Sequence, residues 1–432
     1  MIVMNLLKSR AARGAYTEST RVRAVRRTDV RRASSVSSLR DVPLECSPRM
    51  SDTGTSTLPR IRLARPALDA RELAVIGSVL ESGMLVSGAR VERFEQVVRE
   101  RVGRAHAIAV ANGTAALELA MRALDLGGHE VLVPALTWPS PAHAAALSGA
   151  KVALIDVDPS EWNLAVASTL ARIRPETRAI VAIDQFGVPA RVRELEAGLA
   201  ARGRSDVVVI EDAACAIGST LRDAGGGERA CGAFGVVSTL SFHPRKVVTT
   251  GEGGMILTDD ASLAARLRTL RNHGQREVGV FVEAGPNQRL TEMQAAMGLV
   301  QIEKLDEILA RRRAIAARYR EGLADLPLAL QAHPEGSVVN EQTFGASLTR
   351  GDTHTRDRLV SLASEANVEL GKLSYDLTSL ASLDRFAPHE DAPVTRDRVA
   401  RGFALPLHTA MSDSDVERVL ATVRASTERA LT

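Results

Sequence analysis

At 432 residues the chain is long enough for two domains, and its 45% hydrophobic and 25% charged residues are those of an ordinary soluble globular protein. No apolar run approaches the length of a membrane span. The net charge of +3 misleads, because residues 1–49 hold eleven Lys/Arg against four Asp/Glu and leave the remainder at −4, so charge gives no argument for a nucleic-acid or membrane partner. Three cysteines, Cys46, Cys215 and Cys231, show no metal-ligand spacing and fit a reducing, cytoplasmic compartment.

Residues 1–49 are Arg-rich, Ser-rich and acid-poor, the composition of a transit peptide, but they lack the apolar core of a secretory signal. A disordered basic arm or an upstream extension reads the same way, and Met50 opens a polar stretch that would make a natural start. Residues 1–59 are therefore set apart as a leader. Helical spacing follows over 68–82 (Leu73, Ile76, Val79, Leu80) and 90–102 (Val91, Phe94, Val98).

Strand-like runs and helices then alternate. HAIAVA (106–111) precedes an Ala/Leu-rich helix over 112–124. EVLVP (130–134), KVALIDVD (151–158), RAIVAID (178–184) and DVVVIEDAA (206–214) are separated by helices near 140–148, 165–173 and 191–202. This βαβ alternation predicts an α/β fold with a mostly parallel sheet flanked by helices. A helix over 261–272 and a long one from 290 onward lead to a second, smaller α/β domain. The expected domains are 60–309 and 310–432.

Ligands of such sheets bind beyond the carboxyl ends of the strands. Three groups fall there: Thr114 at a helix start opened by Asn112 and Gly113, Asp212 after VVVIE, and Ser241 near the end of VVSTLS. A helix start offers free N–H groups to a phosphate, although a plain N-cap is also common. Lys246 lies between strand-like VVSTLSF and GMILTDD, on a connection broken by His243, Pro244, Gly251, Gly253 and Gly254. A lysine so placed suggests a Schiff-base amine beside a phosphate site; an ordinary surface lysine is the alternative. TTGEGG reads as a tight turn after Lys246, with Glu252 a candidate for substrate contact.

The motifs NGTAAL, PALTW, VIEDAA, SFHPRK, TTGEGGM, LRNHG and NQRLTEMQAA, in this order, resemble the DegT/DnrJ/EryC1/StrS family of aminotransferases, from about residue 60 to the C-terminus. The resemblance implies an aspartate-aminotransferase-like fold, pyridoxal 5′-phosphate (PLP) as cofactor, and amino transfer from glutamate or glutamine to a keto sugar or keto-cyclitol. It implies Lys246 as the Schiff-base lysine and Asp212 as the carboxylate on the pyridinium nitrogen. It also implies Gly113, Thr114, Ala115 and Ser241 around the phosphate, and Trp138 stacked on the ring. Asn287, beside Arg289, is implied to cross to a neighbouring subunit's phosphate, which makes the unit a homodimer with shared sites.

The chain departs from the pattern in places. Cys215 stands where the family usually carries His or Gln against the cofactor's 3′-oxygen, and Asp184 where it often carries His. Segments 337–348 and 373–386 lack the usual aromatic and His pattern around the substrate. A PLP-dependent sugar dehydratase, which usually lacks the lysine, and a non-catalytic PLP-binding regulator are the rival readings.

Overall fold

The computed structural model describes residues 59–222, 226–386 and 391–432. The leader expected over 1–59, with the start considered at Met50, lies outside them but for Pro59. Seven of the apolar runs pair into one sheet: β1 (His106–Val110), β2 (Glu130–Pro134), β3 (Lys151–Ile155), β4 (Thr177–Ile183), β5 (Val208–Asp212), β6 (Val237–Ser241) and β7 (Gly254–Thr258). Their spatial order is β1–β7–β6–β5–β4–β2–β3. Every pairing from β6 to β3 is parallel, and β7 runs against both of its neighbours. The reversal follows from the connection. Parallel neighbours need a crossover, usually a helix, whereas 242–253 is a loop closed on itself: Phe242 N–H donates to Gly253 O at 2.9 Å and Thr250 N–H to Phe242 O at 3.0 Å.

Both faces of the sheet are covered, which is why its strands read as continuous apolar runs. On one face Ile108, Val133, Ile210 and Ile256 pack with α3 (Gly113–Ala123), α4 (Ser140–Leu147) and α7 (Ala261–Arg271). On the other, Leu132, Ile180 and Val209 pack with α5 (Val166–Arg172) and α6 (Val192–Ala201). Beside these, Ala109, Leu240 and Met255 pack with α2 (Ala89–Val102) and α8 (Glu292–Glu303). The helix α1 (Ala70–Ser82) buries Val79 but leaves Leu73 and Leu80 exposed, against the expectation from its spacing.

The long helix expected from 290 onward is two helices, α8 and α9 (Leu305–Gly322). They meet at the buried Lys304, whose ammonium turns back to Ala67 O (3.0 Å), Asp69 (3.1 Å) and Glu72 at the start of α1. The C-terminal part holds a four-stranded antiparallel sheet, β8 (Leu328–Leu330), β9 (Phe344–Leu348), β10 (Gly371–Lys372) and β11 (Gly402–Leu405), in the order β8–β9–β11–β10. Helices α10 (Thr353–Glu365) and α11 (Asp413–Leu431) contribute Leu359, Val416 and Val419 to its core, and α9 contributes Ile315 and Tyr319. The boundary expected at 309/310 thus falls inside α9. Ile61 belongs to this C-terminal core too, its N–H donating to Asn367 O and its carbonyl accepting from Glu369 N–H, both at 2.9 Å. Among the described residues no helix is long and apolar enough to cross a membrane.

Candidate active site

Two glycines bring the first part of the site together. Val110, Gly254 and Ser241 are register partners across β1, β7 and β6. The chain leaves β1 through Ala111 and Asn112 and enters α3 at Gly113, passing over Gly254. A Cβ on Gly254 would lie 2.4 Å from Asn112 O, and one on Gly113 would lie 2.9 Å from Ser241 Cβ. Glycine at both positions is what lets the start of α3 settle against Ser241. The amides of a first helical turn have no intrahelical partner. Asn112 Oδ1 accepts that of Ala115 at 2.9 Å. Ala115 N–H, implied as a phosphate donor, is therefore engaged in the N-cap. Thr114 Oγ1 lies 2.7 Å from Ser140 Oγ at the start of α4, a partner that no motif pointed to.

Asp212 ends β5, where Ile183 and Thr239 are its register partners. Its carboxylate accepts the Ala214 N–H at 3.1 Å. Burial pushes its pKa above the usual carboxylate range; the Ala214 N–H, the charge of Lys246 and the Thr239 side chain pull it back only in part. Glu211, one residue earlier, faces the other side of the sheet. It accepts the N–H groups of Gly232 and Phe234, each at 2.7 Å. Asp184 and Cys231 are buried beside it, with a side-chain oxygen or sulfur of each of the three within 4.8 Å of the others.

Lys246 sits half-buried in the loop between β6 and β7, its Nζ donating to Cys215 Sγ at 3.0 Å. The C-terminal part of the chain braces both partners. Asn340 Nδ2 donates to Cys215 O (2.8 Å) and Ile217 O (2.9 Å), and Gln342 Nε2 donates to Arg245 O (2.9 Å). Asn340 and Gln342 belong to the segment whose sequence departs from the family pattern; their contribution is positional, and only the folded chain reveals it. His243, near Lys246 and Glu252, is held below its ordinary pKa chiefly by burial.

Trp138 follows β2 and is 58% exposed. Its ring meets Tyr375 edge-on, centroids 5.2 Å apart. Residues 136–137 and 375–376 pair there as a short antiparallel ladder, so the C-terminal part supplies this neighbour. The buried tryptophan is Trp162 instead. Asn287 is exposed beyond the edge strand β1: Gln288 O accepts the Ala111 N–H at 2.9 Å, and Arg289 bridges to Val110. Six of the residues singled out (Gly113, Thr114, Asp212, Cys215, Ser241, Lys246) therefore gather where β1, β5 and β6 end. Trp138 stands nearby at the end of β2, and Asn287 faces outward.

A mostly parallel sheet with these groups at its strand ends has the architecture of the aspartate-aminotransferase-like fold. The family described as the DegT/DnrJ/EryC1/StrS aminotransferase family matches residues 66–424. GDP-perosamine synthase of Caulobacter vibrioides is 34% identical over 373 residues, covering 85% of this chain and 98% of that protein. Among solved structures, the aminotransferase TlmJ from Streptoalloteichus hindustanus is 30% identical with a TM-score of 0.79, covering 86% of this chain and all of that one. DesV of S. venezuelae is likewise 30% identical, with a TM-score of 0.79 and coverage of 86% and 100%. The chain belongs to the DegT/DnrJ/EryC1/StrS aminotransferase family. It is a PLP-dependent transaminase.

The residues present fit PLP. A buried carboxylate with one backbone donor, its pKa raised by burial, is stabilised by a cationic ring nitrogen. A helix start capped by Asn112 through Ala115 N–H, with Gly113 packed against a serine, suits a phosphate dianion. A lysine amine is within reach of the same strand ends.

Proposed function

We propose that the protein moves an amino group from glutamate or glutamine to a keto sugar, with a nucleotide-linked sugar as the favoured acceptor and a keto-cyclitol as the second choice. The observation that carries this reading is the pairing of Lys246 with buried Asp212 at the ends of β5 and β6, in a chain related to GDP-perosamine synthase over nearly that protein's whole length. Asp212 would face the ring nitrogen. Gly113, Thr114 and Ser241 would hold the phosphate, Ala115 would act through the Asn112 cap, and Trp138 would cover one face of the ring. When bound, PLP supplies the electron sink that lets an amino acid give up its α-proton. The chain's own part is to hold that sink's ring nitrogen against a carboxylate and to deliver and remove the proton. Lys246 Nζ would be the base that takes up and returns this proton. Asn340 and Gln342 hold the two loops that set where Nζ points. Lys246 speaks against a dehydratase, and the intact Lys246–Asp212 pair against a non-catalytic regulator.

The test is borohydride reduction of the purified protein followed by peptide mapping. A pyridoxyl group is expected on Lys246, none in Lys246→Ala, and turnover is expected with glutamate. Persistence of the label on another lysine would remove the central assignment.

The working unit is read as a homodimer. Leu73, Leu80, Met84 and Phe281 are each more than half exposed and offer apolar surface to another chain. Asn287 is exposed, in keeping with a contact to a second copy's phosphate. Lys246→Ala and Asn287→Asp should each be weak alone. After verified subunit exchange, activity should return toward half of the sites in the heterodimer fraction. No recovery would mean that Asn287 does not act across an interface.

A further inference from the structure

Cys215 is the residue at which this chain departs from its family inside the site, and the structure puts it in direct contact with the essential amine. Its sulfur and Lys246 Nζ are 3.0 Å apart. Both side chains are only half-buried, so a small oxidant can reach them. Both backbones are held: Asn340 fixes the Cys215 carbonyl, Gln342 fixes that of Arg245, and Ala216 N–H closes the turn onto Ala213 O at 2.9 Å. The second described cysteine has the opposite setting. Cys231 is fully buried, and burial together with the nearby Asp184 and Glu211 raises its pKa well above the ordinary thiol value, so it stays an unreactive thiol.

We propose that Cys215 and Lys246 form an oxidative modification site, in which a hydroperoxide converts the contact into a reversible covalent sulfur–nitrogen bridge. In the first step the sulfur attacks the peroxide and the O–O bond breaks. Sulfur gains a hydroxyl as the sulfenic acid, its thiol proton leaves with the other oxygen as water or an alcohol, and the peroxide is reduced by two electrons. In the second step the Lys246 ammonium gives a proton to water and the amine so formed attacks the sulfur. The N–S bond forms, the S–O bond breaks, and hydroxide takes the proton lost by nitrogen and departs as water. Sulfenic acids are known to condense with thiols and with a neighbouring nitrogen in this way. Here the nitrogen is already in contact, whereas the described thiol Cys231 is sealed in the core on the Glu211 side of the sheet. A bridged Lys246 has lost its free amine, so the enzyme is off until a thiol reductant cleaves the S–N bond and returns thiol and amine. The bridge depends only on this chain's residues. Its protection by cofactor rests on the proposed attachment at Lys246.

The experiment uses the full chain in two forms, cofactor-loaded and cofactor-stripped, each treated with limiting hydrogen peroxide and digested without reductant for mass spectrometry. In the stripped form the peptides carrying Cys215 and Lys246 should appear joined and lighter than their sum by two hydrogens. The joined species should vanish with dithiothreitol and be missing from Cys215→Ser, with Cys231 still a free thiol. Cofactor trapping by borohydride should fall by at least ~10-fold after oxidation and return with the reductant. Oxidation of Cys215 to sulfinic or sulfonic acid with Lys246 free, a disulfide to another cysteine, or a bridge carrying an extra oxygen would each overturn the proposal. The loaded form should bridge at least ~10-fold less. Equal bridging in both forms would overturn Lys246 as the attachment point while leaving the bridge established.

Discussion

Glu211 and Asp212 are consecutive, buried and acidic, yet the two sides of β5 use them differently. Successive side chains of a strand point to opposite faces. Glu211 enters a closed pocket, where two backbone N–H groups take both of its oxygens and Asp184 and Cys231 fill the rest. Asp212 emerges at the strand end with one backbone donor and a lysine charge near it. A buried carboxylate whose donors come from the fold holds the fold together. One at a strand end beside a lysine is placed to meet a further cationic group. Burial alone does not tell the two acids apart; what distinguishes Asp212 is its place at the strand end beside the charge of Lys246.

The largest effect expected from breaking this contrast is at Asp212. Asp212→Asn keeps the shape and removes the charge that a ring nitrogen would meet. The glutamate half-reaction should slow by a factor on the order of 10³ or more, while the unfolding midpoint in urea stays close to wild type. Stopped-flow absorbance and urea titration read the two quantities, and near-normal turnover would end the assignment. Glu211→Ala should behave in the opposite way. It leaves two buried N–H groups without an acceptor and should cost about 2–4 kcal/mol of stability, whereas the molecules that still fold keep trappable cofactor. A loss of cofactor without a loss of stability would collapse the distinction between the two acids.

The smallest effect belongs to Asp184. Burial, and next the charge of Glu211, push its carboxyl well above the usual range. A group whose pKa is raised on folding contributes stability that is fully present below the unfolded value, about 4 for Asp, and is lost as pH rises toward the folded value. Asp184→Asn stays neutral and keeps a donor toward Glu211. Its melting temperature should therefore fall less than that of wild type between about pH 5 and pH 9, with the difference widest at the upper end. Parallel pH curves for the two proteins would mean that Asp184 does not carry the shift.

Much of this was legible in the residues. The seven strands of the large sheet were readable because a sheet covered on both faces needs unbroken apolar runs, and those runs stand out from polar turns. Lys246, Asp212, Thr114 and Ser241 were readable as a set because a parallel sheet brings its strand ends together. The order of motifs carried the family and the cofactor.

What only the tertiary structure decided concerns groups whose meaning depends on a partner far along the chain. Ala115 N–H donates to Asn112 Oδ1, a choice between neighbouring acceptors that spacing does not reveal. Leu73 and Leu80 kept a helical rhythm yet face outward, since periodicity names a face and not what covers it. Asn340 and Gln342 carried no motif, because their value lies in reaching 125 residues back to the Cys215 turn and 97 back to the Lys246 loop. Cys215 read as a weak substitute for His or Gln. Its contact with Lys246 exists because the turn after β5 and the loop after β6 meet at the ends of two adjacent strands, a relation fixed by sheet order and by no local property of either segment.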